Sequence, residues 1–207
     1  IREYCQWETF NATCSSNEII FMKVANYGRM RFGRCVKENH GNIGCSSNVL
    51  PQLDRKCSGR HTCQLVIPDP MLHNIHPCPK ELVPYLEASY ICLPGLKVSQ
   101  ISGYLASATP VEDGIGTRQC PWILHANSGQ RINLTLYAFG TAQRHLEDAD
   151  GGELMEPIDE CGSDIIITDS GRTRSISACG QLVRRRLIYM SDGFELEVYF
   201  ENSNPRQ

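Results

Sequence analysis

The stretch Ala25-Asn26-Tyr27-Gly28-Arg29 decides how the first half of the chain reads, because of what surrounds it. Eight cysteines frame it: Cys5, Cys14, Cys35, Cys45, Cys57, Cys63, Cys78 and Cys92. Just upstream, Glu18-Ile19-Ile20-Phe21-Met22-Lys23-Val24 is rich in β-branched and aromatic residues and predicts a buried strand. Tyr27-Gly28-Arg29 then predicts a turn, where Gly28 can take a positive φ at no steric cost. Farther on, Val49-Leu50-Pro51-Gln52-Leu53 leading to Cys57 predicts a short helix. Cys63-Gln64-Leu65-Val66-Ile67 predicts a strand stopped by Pro68 and Pro70. Tyr85 to Cys92 predicts the last strand, in which Leu86, Ala88 and Tyr90 alternate with Glu87 and Ser89.

Eleven cysteines in 207 residues argue for an oxidising compartment. The chain has no paired Cys-x-x-Cys knuckles of the kind zinc requires. Two sequons, Asn11-Ala12-Thr13 and Asn133-Leu134-Thr135, agree with secretion and mark Asn11 and Asn133 as glycosylation candidates. Apolar residues make up 41% and charged residues 21%, which excludes a disordered chain. A net charge of -3 gives no general pull toward nucleic acid or anionic membrane. No apolar run is long enough to span a bilayer. Ile1 opens directly in folded-looking sequence, which reads as a processed chain.

Cysteine density falls after Cys92, and Leu93-Pro94-Gly95 carries a turn and linker signal. Two domains are expected, at 1–93 and 96–207. Residues 1–94 hold ten bases against eight acids, and the remainder holds ten against fifteen. The second half reads as nearly all strand. In Arg131 to Phe139, Ile132, Leu134, Leu136 and Ala138 share a face. In Phe194 to Phe200, Phe194, Leu196, Val198 and Phe200 are expected inward. Asp164 to Thr168 is a short apolar strand, followed by a turn at Asp169-Ser170-Gly171. Strands at this spacing predict a β-sandwich. Glu147 to Asp164 carries eight acids and no base, with Gly151-Gly152 and Pro157, and predicts a mobile solvated loop.

Cysteine order, the Asn-Tyr-Gly-Arg stretch and the closing Tyr85-Leu86-Glu87 strand together resemble the sea-urchin-egg-lectin or rhamnose-binding-lectin family, which also leads latrophilin-type receptors. The resemblance covers residues 1–92 and implies a small disulfide-rich α/β domain. Eight cysteines allow on the order of a hundred connectivities. The resemblance implies the pairs Cys5–Cys35, Cys14–Cys92, Cys45–Cys78 and Cys57–Cys63. The sugar-gripping positions depart from the family. Its Cys-Glu-Gly is Cys5-Gln6-Trp7 here, its Asp-Pro-Cys is His76-Pro77-Cys78, and Pro84 stands before Tyr85 where a lysine is usual. Charged partners to sugar hydroxyls contribute about 1.5–3 kcal/mol each, so losing three removes most of a weak affinity. The candidate ligand-binding residues are Gln6, Asn26, Tyr27, Arg29, Arg31, Phe32 and His76. Arg29, Arg31 and Arg34, interleaved with Met30 and Phe32, form the preferred protein-contact patch.

Residues from about 95 resemble a CUB domain. Ser102-Gly103-Tyr104-Leu105-Ala106-Ser107 matches its opening strand, and Cys120-Pro121-Trp122-Ile123-Leu124 its Cys-x-Trp-x-Ile. Cys161-Gly162-Ser163-Asp164 and Cys179-Gly180 follow, which implies an all-β sandwich with a Cys161–Cys179 bridge. The family's first cysteine has no equivalent, which leaves Cys120 as the odd one, read as a buried free thiol or an interchain bridge. No equivalent of the family's final strand is read before Gln207, so that strand is expected either past a cut end or as a separate or disordered segment. Many CUB domains hold calcium; Asp164 with Glu147 or Asp148 supplies two carboxylates, and Asn202-Ser203 stands where the third is expected. No cofactor is expected, with calcium the weak exception.

His73-x-x-His76-x-Cys78 has metal-like spacing, but Cys78 is taken by a bridge, so exposed loop histidines are expected. Arg184-Arg185-Arg186 with Arg172 and Arg174 form either a basic face for heparan sulfate or a solvated edge that discourages aggregation. No Gly-x-Ser-x-Gly, His-Glu-x-x-His or phosphate loop is present, so no enzyme is expected. The expectation is a secreted or cell-surface recognition segment whose partner is an extracellular protein, from a membrane-anchored parent. The alternatives are a galactose- or rhamnose-type lectin and, more remotely, a protease accessory.

Overall fold

A computed structural model describes residues 1–37, 44–95, 101–106, 114–137, 143–147, 153–157, 163–178 and 184–202. The chain forms two compact units, Ile1–Ala106 and Ser107–Gln207.

The first unit runs β1 (Arg2–Tyr4), β2 (Thr9–Thr13), β3 (Glu18–Arg29), β4 (Cys45–Asn48), helix α1 (Leu50–Cys57), β5 (Thr62–Val66), short helix α2 (Pro70–His73) and β6 (Tyr85–Pro94). One antiparallel sheet has the order β1-β6-β3-β4, and β2 pairs separately with β5. The expected turn at Tyr27-Gly28-Arg29 is instead the end of β3, paired on both sides: Gly28 stands opposite Ser46 of β4 and Tyr85 of β6. Gly28 still has a positive φ, at 147°. A Cβ there would sit 2.2 Å from the Cys45 carbonyl oxygen and 2.6 Å from Ser46 Cα. The glycine is required by the close approach of two strands, not by a change of direction.

The core gathers Phe10, Ile20, Met22, Leu53, Leu65 and Leu86, all buried. Helix α1 turns Leu53, Asp54 and Cys57 inward. Asp54 is tolerated there because its carboxylate accepts the Ser58 hydroxyl at 2.6 Å, and Ser58 Oγ accepts the Met22 N–H of β3 at 3.0 Å. Four disulfides join Cys5 to Cys35, Cys14 to Cys92, Cys45 to Cys78 and Cys57 to Cys63. Alternation along β6 fails at its start, since Tyr85, Leu86, Glu87 and Ala88 are all buried. Both faces of that segment are covered. The Pro94-Gly95 step is not the break between units. Strand β6 runs through Pro94, Gly95 N–H donates to Asn17 O, and Gly95 bridges Tyr104 in parallel. Residues 102–106 therefore lie with the first unit and do not open the second.

The second unit runs β7 (Trp122–His125), β8 (Asn133–Tyr137), β9 (Gln143–Glu147), β10 (Glu153–Pro157), β11 (Ser163–Asp169), β12 (Arg172–Ser177), β13 (Arg185–Met190) and β14 (Glu195–Asn202). Its larger antiparallel sheet has the order β12-β11-β14-β7; β13 pairs with β8 and β10 with β9. Ile165, Ile166 and Ile167 are buried in succession, so both faces of β11 are covered. Ser170 and Gly171, with φ of 50° and 77°, turn β11 into β12. Asp169, the last residue of β11, accepts from Tyr189 Oη, the Asp192 N–H and Ser170 Oγ. These bonds, led by the Asp192 N–H, hold its carboxyl below the usual range despite burial.

Three further expectations change. Residues 153–157 of the acidic run pair with β9 instead of forming loop. Phe194 precedes β14 and is 57% exposed, whereas Leu196 and Val198 point inward as expected. Cys120 is a free but exposed thiol, not a buried one. Cys161 and Cys179 lie outside the described residues, as do Ala138 and Phe139. Among the described residues no helix is long and apolar enough to cross a membrane.

Candidate functional site: a clamped loop and an exposed tryptophan

Two short segments of the first unit are tied together at one end of its sheet. The first is the turn Cys5–Glu8, closed by Glu8 N–H donating to Cys5 O at 3.0 Å. Trp7 sits in it with φ at 70°, in the left-handed region that disfavours bulky side chains. Its N–H donates to Ile67 O at 2.6 Å, and Ile67 N–H returns to Glu8 O at 2.9 Å. The indole is nevertheless 74% exposed.

The second segment is 31–35, joined to the turn by Cys5–Cys35. The Arg34 guanidinium grips both Glu8 carboxylate oxygens, one of them at 2.6 Å, and also donates to Glu3 O at 2.5 Å. These bonds, with the Cys5 N–H at 2.8 Å, hold the Glu8 carboxyl down at about 2. Arg34 N–H donates to Glu3 Oε2 at 3.1 Å, and a Cβ on Gly33 would lie 2.7 Å from the same carboxylate. Arg31 N–H donates to Tyr85 Oη at 3.2 Å. The Arg31 guanidinium stands 2.5 Å from the buried Glu87 carboxylate and 3.5 Å from Glu3. The Glu87 oxygen it approaches is not aligned for a hydrogen bond, so charge alone carries that contact. This clamp explains why Glu87, read as a solvent-facing residue of an alternating strand, is buried. The clamp leaves Phe32 51% exposed.

The expected ligand residues separate. Gln6 and His76 are exposed, and Asn26 is half-buried in β3 opposite Asn48 and Glu87. Tyr27 is 4% exposed and belongs to the core cluster, so it does not offer a ligand face. Arg29 is also buried, and its Nε has no hydrogen-bond partner among the described residues, so it leaves the protein-contact patch. Arg31 and Arg34 stay exposed but are paired with Glu87 and Glu8, and Phe32 is the exposed apolar member of that patch. Trp7 was not among the expected residues. Its signal was in the sequence all the same, as a tryptophan at a position where the family carries glycine. A shallow recess of about 400 Å³ beside the clamp is lined by Arg2, Tyr4, Glu8, Thr9, Asn11 and Arg34. Asn11 and Asn133 are both exposed, on β2 and β8. For calcium, the side chain of Glu147 and all of Asp148 lie outside the described residues. Asp164 stands opposite Glu201, and two carboxylates fall short of the six to eight oxygens calcium takes. Among the described residues no group of three metal-ligating side chains is present.

Residues 12–92 match the D-galactoside/L-rhamnose binding SUEL lectin domain. That match falls within the first unit. Latrophilin-like protein 1 of Caenorhabditis elegans is 29% identical over 93 residues, covering 43% of this chain and 9% of that protein. Latrophilin Cirl of Drosophila mojavensis is 31% identical over 100 residues, covering 46% of this chain and 6% of that protein. Latrophilin Cirl of Drosophila persimilis is 30% identical over the same length. The chain thus spans less than a tenth of these relatives. The lectin domain and the latrophilin relatives support an extracellular recognition or carbohydrate-binding role, and the lectin family is non-enzymatic.

Proposed function

We propose that the first unit is an extracellular docking module for a polypeptide partner, with Trp7 and Phe32 as its contact residues. The carrying observation is Trp7. A left-handed backbone costs a bulky residue about 1–2 kcal/mol, and a side chain this exposed returns little of it to folding. Exposed aromatics on rigid loops are the usual anchors of protein interfaces. The missing Glu, Asp and Lys of the sugar-binding pattern support the same reading. A second reading, galactose or rhamnose binding, is favoured by the match to the lectin domain and by an exposed Gln6 next to Trp7 in the chain.

Amide NMR of the whole chain separates the two. Under the first reading, galactose and rhamnose at about 10 mM leave the Gln6, Trp7 and Asn26 signals in place. A partner recovered by screening receptor ectodomains then loses roughly 30-fold or more in affinity with Trp7→Ala or Phe32→Ala. Saturable sugar shifts at Gln6 and Trp7 would establish the lectin reading instead. Arg31 is left intact, because a glutamate there would face Glu87.

The second unit is read as CUB-like, on the Cys120–Leu124 motif and its all-strand order, with a Cys161–Cys179 bridge and a glycan on Asn133; the first unit is read as carrying a glycan on Asn11, and the parent as membrane-anchored. Intact mass before and after reduction tests the cysteine part: five bridges and one free thiol are expected, and a covalent dimer would implicate Cys120.

A further inference from the structure

We propose that the glycan on Asn133 lies back along one face of the β8–β13 pair and covers the exposed side chains of Met190 and Leu187. This rests on Asn133 carrying a glycan and adds where that glycan goes. Register places the three residues together: Asn133 stands opposite Met190, and Thr135 stands opposite Leu187. Directly opposed residues of an antiparallel pair point to the same side, with Cβ atoms about 4.5–5.5 Å apart. Asn133 and Thr135 are two apart on β8, so they share a side as well.

Leu187 and Met190 are three apart on β13, and in a regular strand they would point to opposite sides. The register shift between Leu187 and Tyr189 inserts one extra residue and brings both to the face of Asn133. Exposure agrees. Leu187 is 60% and Met190 53% exposed, and Asn133 and Thr135 are exposed beside them. The opposite face carries Leu134 and Tyr189, both half-buried, and there Tyr189 Oη donates to Asp169.

Two large apolar side chains side by side on a strand pair are an invitation to self-association. An N-linked sugar begins at the residue beside Met190, so its tether holds it at the patch and weak contacts suffice. The C–H faces of the innermost sugars suit a thioether and an isobutyl group, while their hydroxyls stay in water. The attachment point is fixed. Ser191 N–H donates to Ile132 O at 2.9 Å, and Ile132 N–H donates to Ser191 Oγ at 2.7 Å. From Asn133 to Tyr137 the strand rises about 13 Å, which gives the innermost sugars a track to lie along. A protein partner is the other occupant such a patch would take, and a glycan at its centre bars one.

The test uses the whole chain secreted from mammalian cells. Peptide mass mapping first reads whether Asn133 is modified. Hydroxyl-radical footprinting then compares the glycosylated chain with the same chain after enzymatic removal of its N-glycans. Oxidation of Met190 and Leu187 should rise about threefold or more, with Ile123, 47% exposed on β7, unchanged as the internal reference. Asn133→Gln should reproduce the rise, and Asn11→Gln should not. Asn133→Gln should also bind an apolar dye more strongly, and adding Leu187→Thr and Met190→Thr should cancel that gain. An unmodified Asn133 removes the glycan and this inference with it. A modified Asn133 whose glycan can be removed without change at Met190 and Leu187 overturns the cover alone. A rise at Ile123 as large as that at Met190 would report loosening of the unit and count against the cover too.

Discussion

Among the described residues the two units hold themselves together by different means, and the difference shows in what each can display. The first is laced by four disulfides, and its exposed loop is clamped by charges on Glu3, Glu8 and Glu87. The second relies, among its described residues, on strand ladders, the buried run Ile165 to Ile167 and the carboxylate of Asp169, while Cys120 stays exposed and unpaired. A cross-linked frame tolerates local strain, because one unfavourable residue cannot open it. That is where Trp7 is found. A frame built on pairing keeps its arginines on strands, where register sets their spacing.

The largest expected effect breaks the lacing. Cys14→Ser with Cys92→Ser opens a closure of 78 residues and should destabilise the first unit by about 4.5 kcal/mol. Cys57→Ser with Cys63→Ser, spanning 6 residues, should cost only about 2 kcal/mol. Calorimetry on both pairs checks the ranking; equal costs, or a matching shift of the second unit, would erase the contrast. Gly28→Ala comes next, at about 3 kcal/mol, because its Cβ would meet the Cys45 carbonyl and the backbone of Ser46 cannot retreat. Hydrogen exchange of β4 amides should rise in that variant.

In the second unit, Asp169→Asn should cost roughly 2 kcal/mol near neutral pH. The folded carboxyl is held below its ordinary value of 3.8, so its stabilisation is complete above that pH and fades as pH falls below it. The gap between parent and variant should therefore close in acid; a gap independent of pH would mean the charge is irrelevant. Glu8→Gln gives the smallest effect, under about 1 kcal/mol, since its side chain is 38% exposed and solvent screens the pair with Arg34. Its contribution is present above about pH 4.5 and lost as pH falls toward about 2, and salt should weaken it. Melting curves at pH 7 and pH 2.5, with and without salt, test both signs.

Much of the fold could be read from residue order. The apolar run from Glu18, the helix after Val49 and the strands at Cys63 and Tyr85 all lie where their patterns put them. The turn at Ser170-Gly171 followed from its chemistry. What was not legible depended on neighbours distant in sequence. Gly28 signals positive φ in a turn and in a crowded strand alike; only the approach of Cys45 distinguishes them. Glu87 reads as solvent-facing until Arg31, 56 positions earlier in the numbering, covers it. Pro94-Gly95 reads as a linker because its partner Asn17 lies on the far side of the domain's sequence. The site was less legible than the fold. A motif marks Tyr27 and Arg29 as special without saying whether they face a ligand or the core, and they face the core. Trp7 was visible only as a departure, and its meaning needed both its φ and its exposure.

The most direct test of the account is the thermal midpoint of Trp7→Gly. If the indole is held out for a partner at the expense of folding, glycine relieves the left-handed backbone and the first unit should melt roughly 2–6 °C higher. A lower midpoint would show that the tryptophan supports the fold, and would contradict the claim that Trp7 anchors a ligand.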